Sequence, residues 1–125
     1  MQIPRDGVLL RICFGEDEKF NRMPLHEAIV FKAREMNLAC ATVFRGQVGF
    51  HNSSHIRTTK ILRLSQNLPV VVEIVDSQKR IDAFLPVLDE MMTSGLITTG
   101  KVQVFQYGGT KMQADDDQQT SLNLK

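Results

Sequence analysis

The cations and glycines between positions 45 and 63 are the residues best suited to chemistry. Arg45-Gly46-Gln47-Val48-Gly49-Phe50 sets a guanidinium beside two glycines that allow a ligand close to the backbone. Downstream, Arg57, Thr58, Thr59, Lys60 and Arg63 supply donors suited to a phosphate, the arginines through a two-pronged fork. Ser53 and Ser54 add hydroxyls. Together these residues describe a cradle for a small anion or a nucleotide, completed by a neighbouring subunit. The same residues also fit a solvated basic loop with turn glycines. Length favours a role. Connections beyond about a dozen residues in a compact domain are usually functional or unstructured, and this one spans positions 46–68.

Other chemistries find less support. His51 and His55 stand four apart and could share a metal, yet no Cys, Asp or Glu in the loop completes a site. No nucleophile–base pair is legible, so the chain does not read as an enzyme. Glu16, Asp17 and Glu18 read as solvent charges. Cys13 and Cys40 lie in apolar strand-like stretches and read as reduced, buried thiols rather than a disulfide framework. The run Arg45 to Phe50 faintly echoes the basic-glycine-aromatic signature of RNA-recognition modules. Gln47 and His51 stand where that signature wants aromatics, the first strand offers no stacking ring on its open face, and nucleic acid is not expected.

The elements that must position the loop follow from periodicity. Val8 to Phe14 alternates Val8, Leu10, Ile12 and Phe14 against Leu9, Arg11 and Cys13, and both faces are largely apolar. This predicts a central strand. A charged connection, Gly15 to Arg22, leads to a helix predicted over Met23 to Met36. Pro24 suits its first turn, Leu25, Ile29, Ala33 and Met36 form its inward stripe, and Asn37 ends it. Val30 and Phe31, off the stripe, suggest a second covered side. Strands are predicted over Ala41–Gly46 and Pro69–Val75, flanking the loop, with Ile61, Leu62 and Leu64 as a short strand or turn on its return. Ser77 is a plausible N-cap for a second helix whose inward face is Ile81, Phe84, Leu85, Leu88 and Met92. Pro86 predicts a kink in it, and Gly95 its end. A last strand runs from Leu96 to Tyr107, with an interruption expected at Thr99-Gly100.

The order βαββαβ in about 100 residues describes an α+β ferredoxin-like sandwich, a four-stranded antiparallel sheet with both helices on one face. The folded domain is expected over residues 1–109 and a disordered polar, acidic tail over 110–125. With helices on one face only, the apolar second face calls for a partner. Arg11 and Glu73 are placed to pair on it. Hydrophobic content of 42%, a net charge of +1 and no apolar run approaching the roughly 20 residues of a membrane span describe a soluble chain, with the cytoplasm as its expected compartment.

The wording of the chain also carries a resemblance. Lys32-Ala-Arg-Glu-Met-Asn-Leu-Ala-Cys-Ala-Thr-Val-Phe-Arg-Gly-Gln-Val-Gly-Phe50, Lys60-Ile-Leu-Arg-Leu-Ser65, Leu68-Pro-Val-Val-Val-Glu-Ile-Val-Asp-Ser77 and Phe84-Leu-Pro-Val-Leu-Asp-Glu-Met91 resemble the uncharacterised bacterial and archaeal family of small PII-like proteins. The match extends to Tyr107. The resemblance implies a homotrimer with sheets packed face to face and a small ligand, an adenine nucleotide such as AMP, ADP or ATP, in clefts between subunits. It implies a regulator whose long loop acts on a partner, and because relatives of this family often sit beside fluoride-channel genes, the implied partner is a membrane transport protein. Two departures stand against a direct transfer. The glycine-rich phosphate loop of PII proteins is reduced here to Asp76-Ser77-Gln78-Lys79, and their modified tyrosine has no counterpart in the loop. The candidate ligand residues are therefore Arg45, Gly46, Gly49, Phe50, Arg57, Thr58 and Lys60. The alternative is a trimeric structural or metal-binding protein resembling the CutA family, with no nucleotide role.

Overall fold

The computed structural model describes residues 4–46, 48–49, 57–58 and 68–107. The expected tail at 110–125 and the expected turn at Ile61, Leu62 and Leu64 lie outside the described residues. Strand β1 (Arg5–Gly15) is followed by a two-residue pair, β2 (Lys19–Phe20) and β3 (Met23–Pro24), and by helix α1 (Leu25–Glu35). Strand β4 (Cys40–Arg45), the short β5 (Val48–Gly49) and β6 (Arg57–Thr58), and strand β7 (Pro69–Asp76) come next. Helix α2 (Gln78–Met91) and strand β8 (Leu96–Val104) complete the order. The main sheet runs β4-β7-β1-β8 with every neighbour antiparallel. This is the ferredoxin-like arrangement that the alternation predicts.

The core lies between this sheet and the two helices. Val8, Leu10, Ile12 and Phe14 of β1 and Val70, Val72 and Ile74 of β7 are buried with Leu25, Ile29 and Ala33 of α1. Ile81, Phe84 and Leu88 of α2 close it. Both strands are central, so the even-numbered side chains from Val8 to Phe14 and from Val70 to Ile74 lie on the helix-covered face. Met91, which the helical stripe leaves out, is buried as well. Helix α2 continues through Pro86, where packing of a strongly amphipathic face outweighs one missing backbone donor.

Each helix end has an identifiable stop. Ser77 caps α2 by accepting a hydrogen bond from the Arg80 N–H at 3.3 Å. At the end of α1, Asn37 takes φ of 61° while the Leu38 N–H donates to the Ala33 carbonyl and the Asn37 N–H to that of Arg34, both at 3.0 Å. That pair of bonds is a Schellman motif on an asparagine. The start of α1 differs from expectation. Met23 and Pro24 pair with Phe20 and Lys19, and Asn21 and Arg22 turn this hairpin with φ of 51° and 68°. Helix α1 therefore begins two residues late, with no side-chain cap; the Leu25 N–H donates to the Glu18 carbonyl at 2.8 Å instead. Strand β8 runs without interruption through Thr99-Gly100, and Gly95 before it takes φ of 144°. A Cβ at Gly95 would meet the Cys13 carbonyl at 2.8 Å, so only glycine fits this corner.

Candidate functional site

Strands β4 and β7 are neighbours in the sheet, with Arg45 opposite Val70. The two feet of the long connection therefore stand side by side at one end of the sheet. The Gly46 N–H donates to the Pro69 carbonyl at 2.8 Å. A Cβ at Gly46 would lie 2.7 Å from the Pro69 ring, so glycine here allows the feet to close. The first turn after β1 packs onto the same place. The Glu16 N–H donates to the Leu68 carbonyl at 2.8 Å, and its carboxylate holds the Arg45 Nε at 2.9 Å. Glu16 is thus a partner of the candidate site, which corrects its reading as a solvent charge. No local pattern announces the pair, because it forms only when β4 and β1 reach the same end of one sheet.

The other candidate residues divide. Gly49 pairs with Arg57 and Val48 with Thr58 across the short β5–β6 ladder, which brings the glycine and two of the polar candidates together in backbone register. Phe50 and Lys60 lie outside the described residues, as do His51, Ser53, Ser54, His55, Thr59 and Arg63. The junction between β7 and α2 is the single residue Ser77, so no phosphate-binding loop is built there. Among the described residues no cluster of three His, Cys, Asp or Glu is assembled.

The open face of the sheet is the second feature of functional interest. Leu9, Cys13, Val71 and Val75 are half-buried on it, and Phe44 and Leu96 are exposed at its two edge strands. Arg11 stands opposite Glu73 at its centre, Nη2 to Oε2 at 2.8 Å and Nε to Oε2 at 3.0 Å. The expected pair is present. The expected burial of both thiols is not: Cys13 is half-buried and Cys40 exposed, because both occupy positions that face away from the helices. Burial nonetheless raises the Cys13 thiol pKa, against a smaller opposing pull from Arg11. Phe31 on α1 is exposed and Val30 half-buried, so the described residues leave Phe31 uncovered.

The chain has recognisable relatives. The DUF190 family model, described as Uncharacterized ACR, matches residues 7–104. A UPF0166 protein of Aquifex aeolicus is 41% identical over 96 residues, which are 77% of this chain and 90% of that relative. A UPF0166 protein of Methanocaldococcus jannaschii is 31% identical over 99 residues, 78% of this chain and 91% of the relative. Among solved structures, CPII from Thiomonas intermedia K12, a nitrogen regulatory PII-like protein bound to ADP, AMP and bicarbonate, superposes with a TM-score of 0.58. It is 12% identical and covers 85% of this chain and 94% of its own. A PII-like protein of Thermus thermophilus gives a TM-score of 0.60 at 15% identity, covering 84% of this chain and 94% of its own. At these identities the likeness to the two structures is one of fold.

Proposed function

This chain belongs to the DUF190 family, and from that premise we propose that it is a PII-like regulator that binds an adenine nucleotide in clefts between the subunits of a homotrimer. It acts without catalysis, in the cytoplasm, and the connection 46–68 carries the bound state to a partner, for which a membrane transport protein is the class we assign. The observation that carries this reading is the fold shared with CPII, whose structure holds ADP, AMP and bicarbonate. Two local features support it. Arg45 presents a guanidinium, 57% exposed, at the foot of the long connection, where a phosphate could accept a charge-assisted pair of hydrogen bonds. The open face carries enough apolar surface around Arg11 and Glu73 to need cover. With Ser77 alone joining β7 to α2, we assign the phosphate donors to the feet of the loop and to Arg57 and Lys60 within it.

Isothermal titration of the full chain with AMP, ADP and ATP, with and without magnesium, tests the reading. We expect micromolar binding near one site per chain. Replacing Arg45 by alanine removes a charged hydrogen-bond donor worth about 1.5 kcal/mol, so affinity should fall about tenfold. Arg57→Ala and Lys60→Ala should weaken binding in the same direction. Absence of heat from all three nucleotides would sink the nucleotide role and leave the CutA-like structural reading in its place.

A further inference from the structure

We propose that Glu16 is a built-in competitor for the anion site, an internal carboxylate that occupies Arg45 until a ligand phosphate displaces it. The inference rests on the nucleotide reading above and adds how that site is controlled. Its starting point is that Glu16 touches both feet of the long connection. Its carboxylate takes the Arg45 Nε at 2.9 Å on one side, and its backbone N–H binds the Leu68 carbonyl at 2.8 Å on the other. The Gly46 N–H to Pro69 carbonyl bond closes the gap between them.

Chemistry sets the two occupants in competition. A phosphate seeking the two-pronged edge that includes the Arg45 Nε meets the Glu16 carboxylate already there, and each gains a charge-assisted bond from that donor. The Glu16 side chain is 22% exposed and that of Arg45 57%, so water partly screens the pair and a stronger anion can displace the carboxylate. A phosphate arriving at Arg45 meets that negative charge, with Asp17 and Glu18 beside it in sequence. Like charges repel, so the Glu16 carboxylate opposes binding, and a phosphate that takes the Nε donor displaces it. Because the same residue holds Leu68 through its backbone, it links the Arg45 side chain to the second foot. The pair therefore lowers ligand affinity and couples ligand to the base of the connection.

The test is titration of full-length wild type and Glu16→Gln with ADP and, separately, with pyrophosphate. Glutamine keeps the size of the side chain and removes its charge. An exposed or half-exposed pair of this kind is weak, so both probes should bind the variant about fivefold more tightly. Glu16→Ala should shift affinity in the same direction and serves if the glutamine variant folds poorly. Hydrogen exchange should show the Glu16 amide of the wild type exchanging faster once ADP is bound. Unchanged or weaker binding by the variants, with the wild type binding normally, would overturn the competitor and leave the nucleotide reading standing. Silence from wild type and variants with both probes would overturn the nucleotide reading, and this inference with it.

Discussion

Replacing Asp76 by alanine lowers the unfolding free energy by about 3 kcal/mol, the largest stability effect we expect from one polar residue. Asp76 is the last residue of β7 and is fully buried. Its Oδ2 accepts the Ala39 N–H at 2.9 Å and its Oδ1 accepts the Ser77 N–H at 2.7 Å. The first bond fixes the connection from α1 to β4, and the second fixes the first turn of α2. Arg80, one turn on, adds a bond from Nη1 to the Met36 carbonyl at 3.1 Å. One carboxylate thus stands where the end of one helix meets the start of the other. Alanine strands two donors that water cannot easily reach, at about 1–3 kcal/mol each. Asparagine keeps one acceptor but turns an amide N–H toward the second donor, so about half the loss should remain. Urea unfolding at fixed protein concentration, with an unchanged slope, measures both variants. A loss below about 1 kcal/mol for the alanine variant would show that the local network reorganises around the gap.

That network also marks the boundary of what the sequence could show. Strands β1 and β7 were legible because both are central and their alternation meets helix on one face only. The α1 stop was legible in Asn37 and the α2 start in Ser77, since each residue solves a local backbone problem. The β2–β3 hairpin was not. Asn21 and Arg22 both take positive φ, and a turn of that kind is announced by asparagine followed by glycine; arginine conceals it. Pro24 suits a first helical turn, yet the strand pairing with Lys19 claims it. Strand β8 runs on past Gly100 because its ladder to β1, with Gly100 opposite Leu9, needs only backbone. Glu16 looked like a solvent charge for a different reason. Its partners, Arg45 and Leu68, come near it only through sheet order, which no local window contains. Of the candidate ligand residues, the sequence could name types suited to a phosphate, but not the closure of the loop feet at Gly46 and Pro69, which depends on long-range strand pairing.

A single charge on the open face should change the size of the particle. The wild type is expected to sediment at three times the 14.1 kDa chain mass, and Val71→Glu at the mass of one chain. Val71 lies on central strand β7, opposite Cys13 of β1 and Phe44 of β4, and faces away from the helices. In one chain a carboxylate at this position reaches water and costs little. Packed against a second sheet it would be buried without a cation, since Arg11 is already engaged by Glu73 at 2.8 Å. An unpaired buried charge costs several kcal/mol, and three symmetric copies would each carry it. Far-ultraviolet circular dichroism should remain that of the folded wild type. Alkylation gives an independent reading of the same face. In the monomeric variant, exposed Cys40 should react at pH 8 well before Cys13, whose thiol is held protonated by burial. In the wild type both thiols should react slowly, because the covered face would shield Cys40 as well. A wild type that sediments as a single chain, with Cys40 reacting freely, would remove the trimer. The intersubunit clefts would go with it, and any nucleotide would then have to be held by the loop feet of one chain.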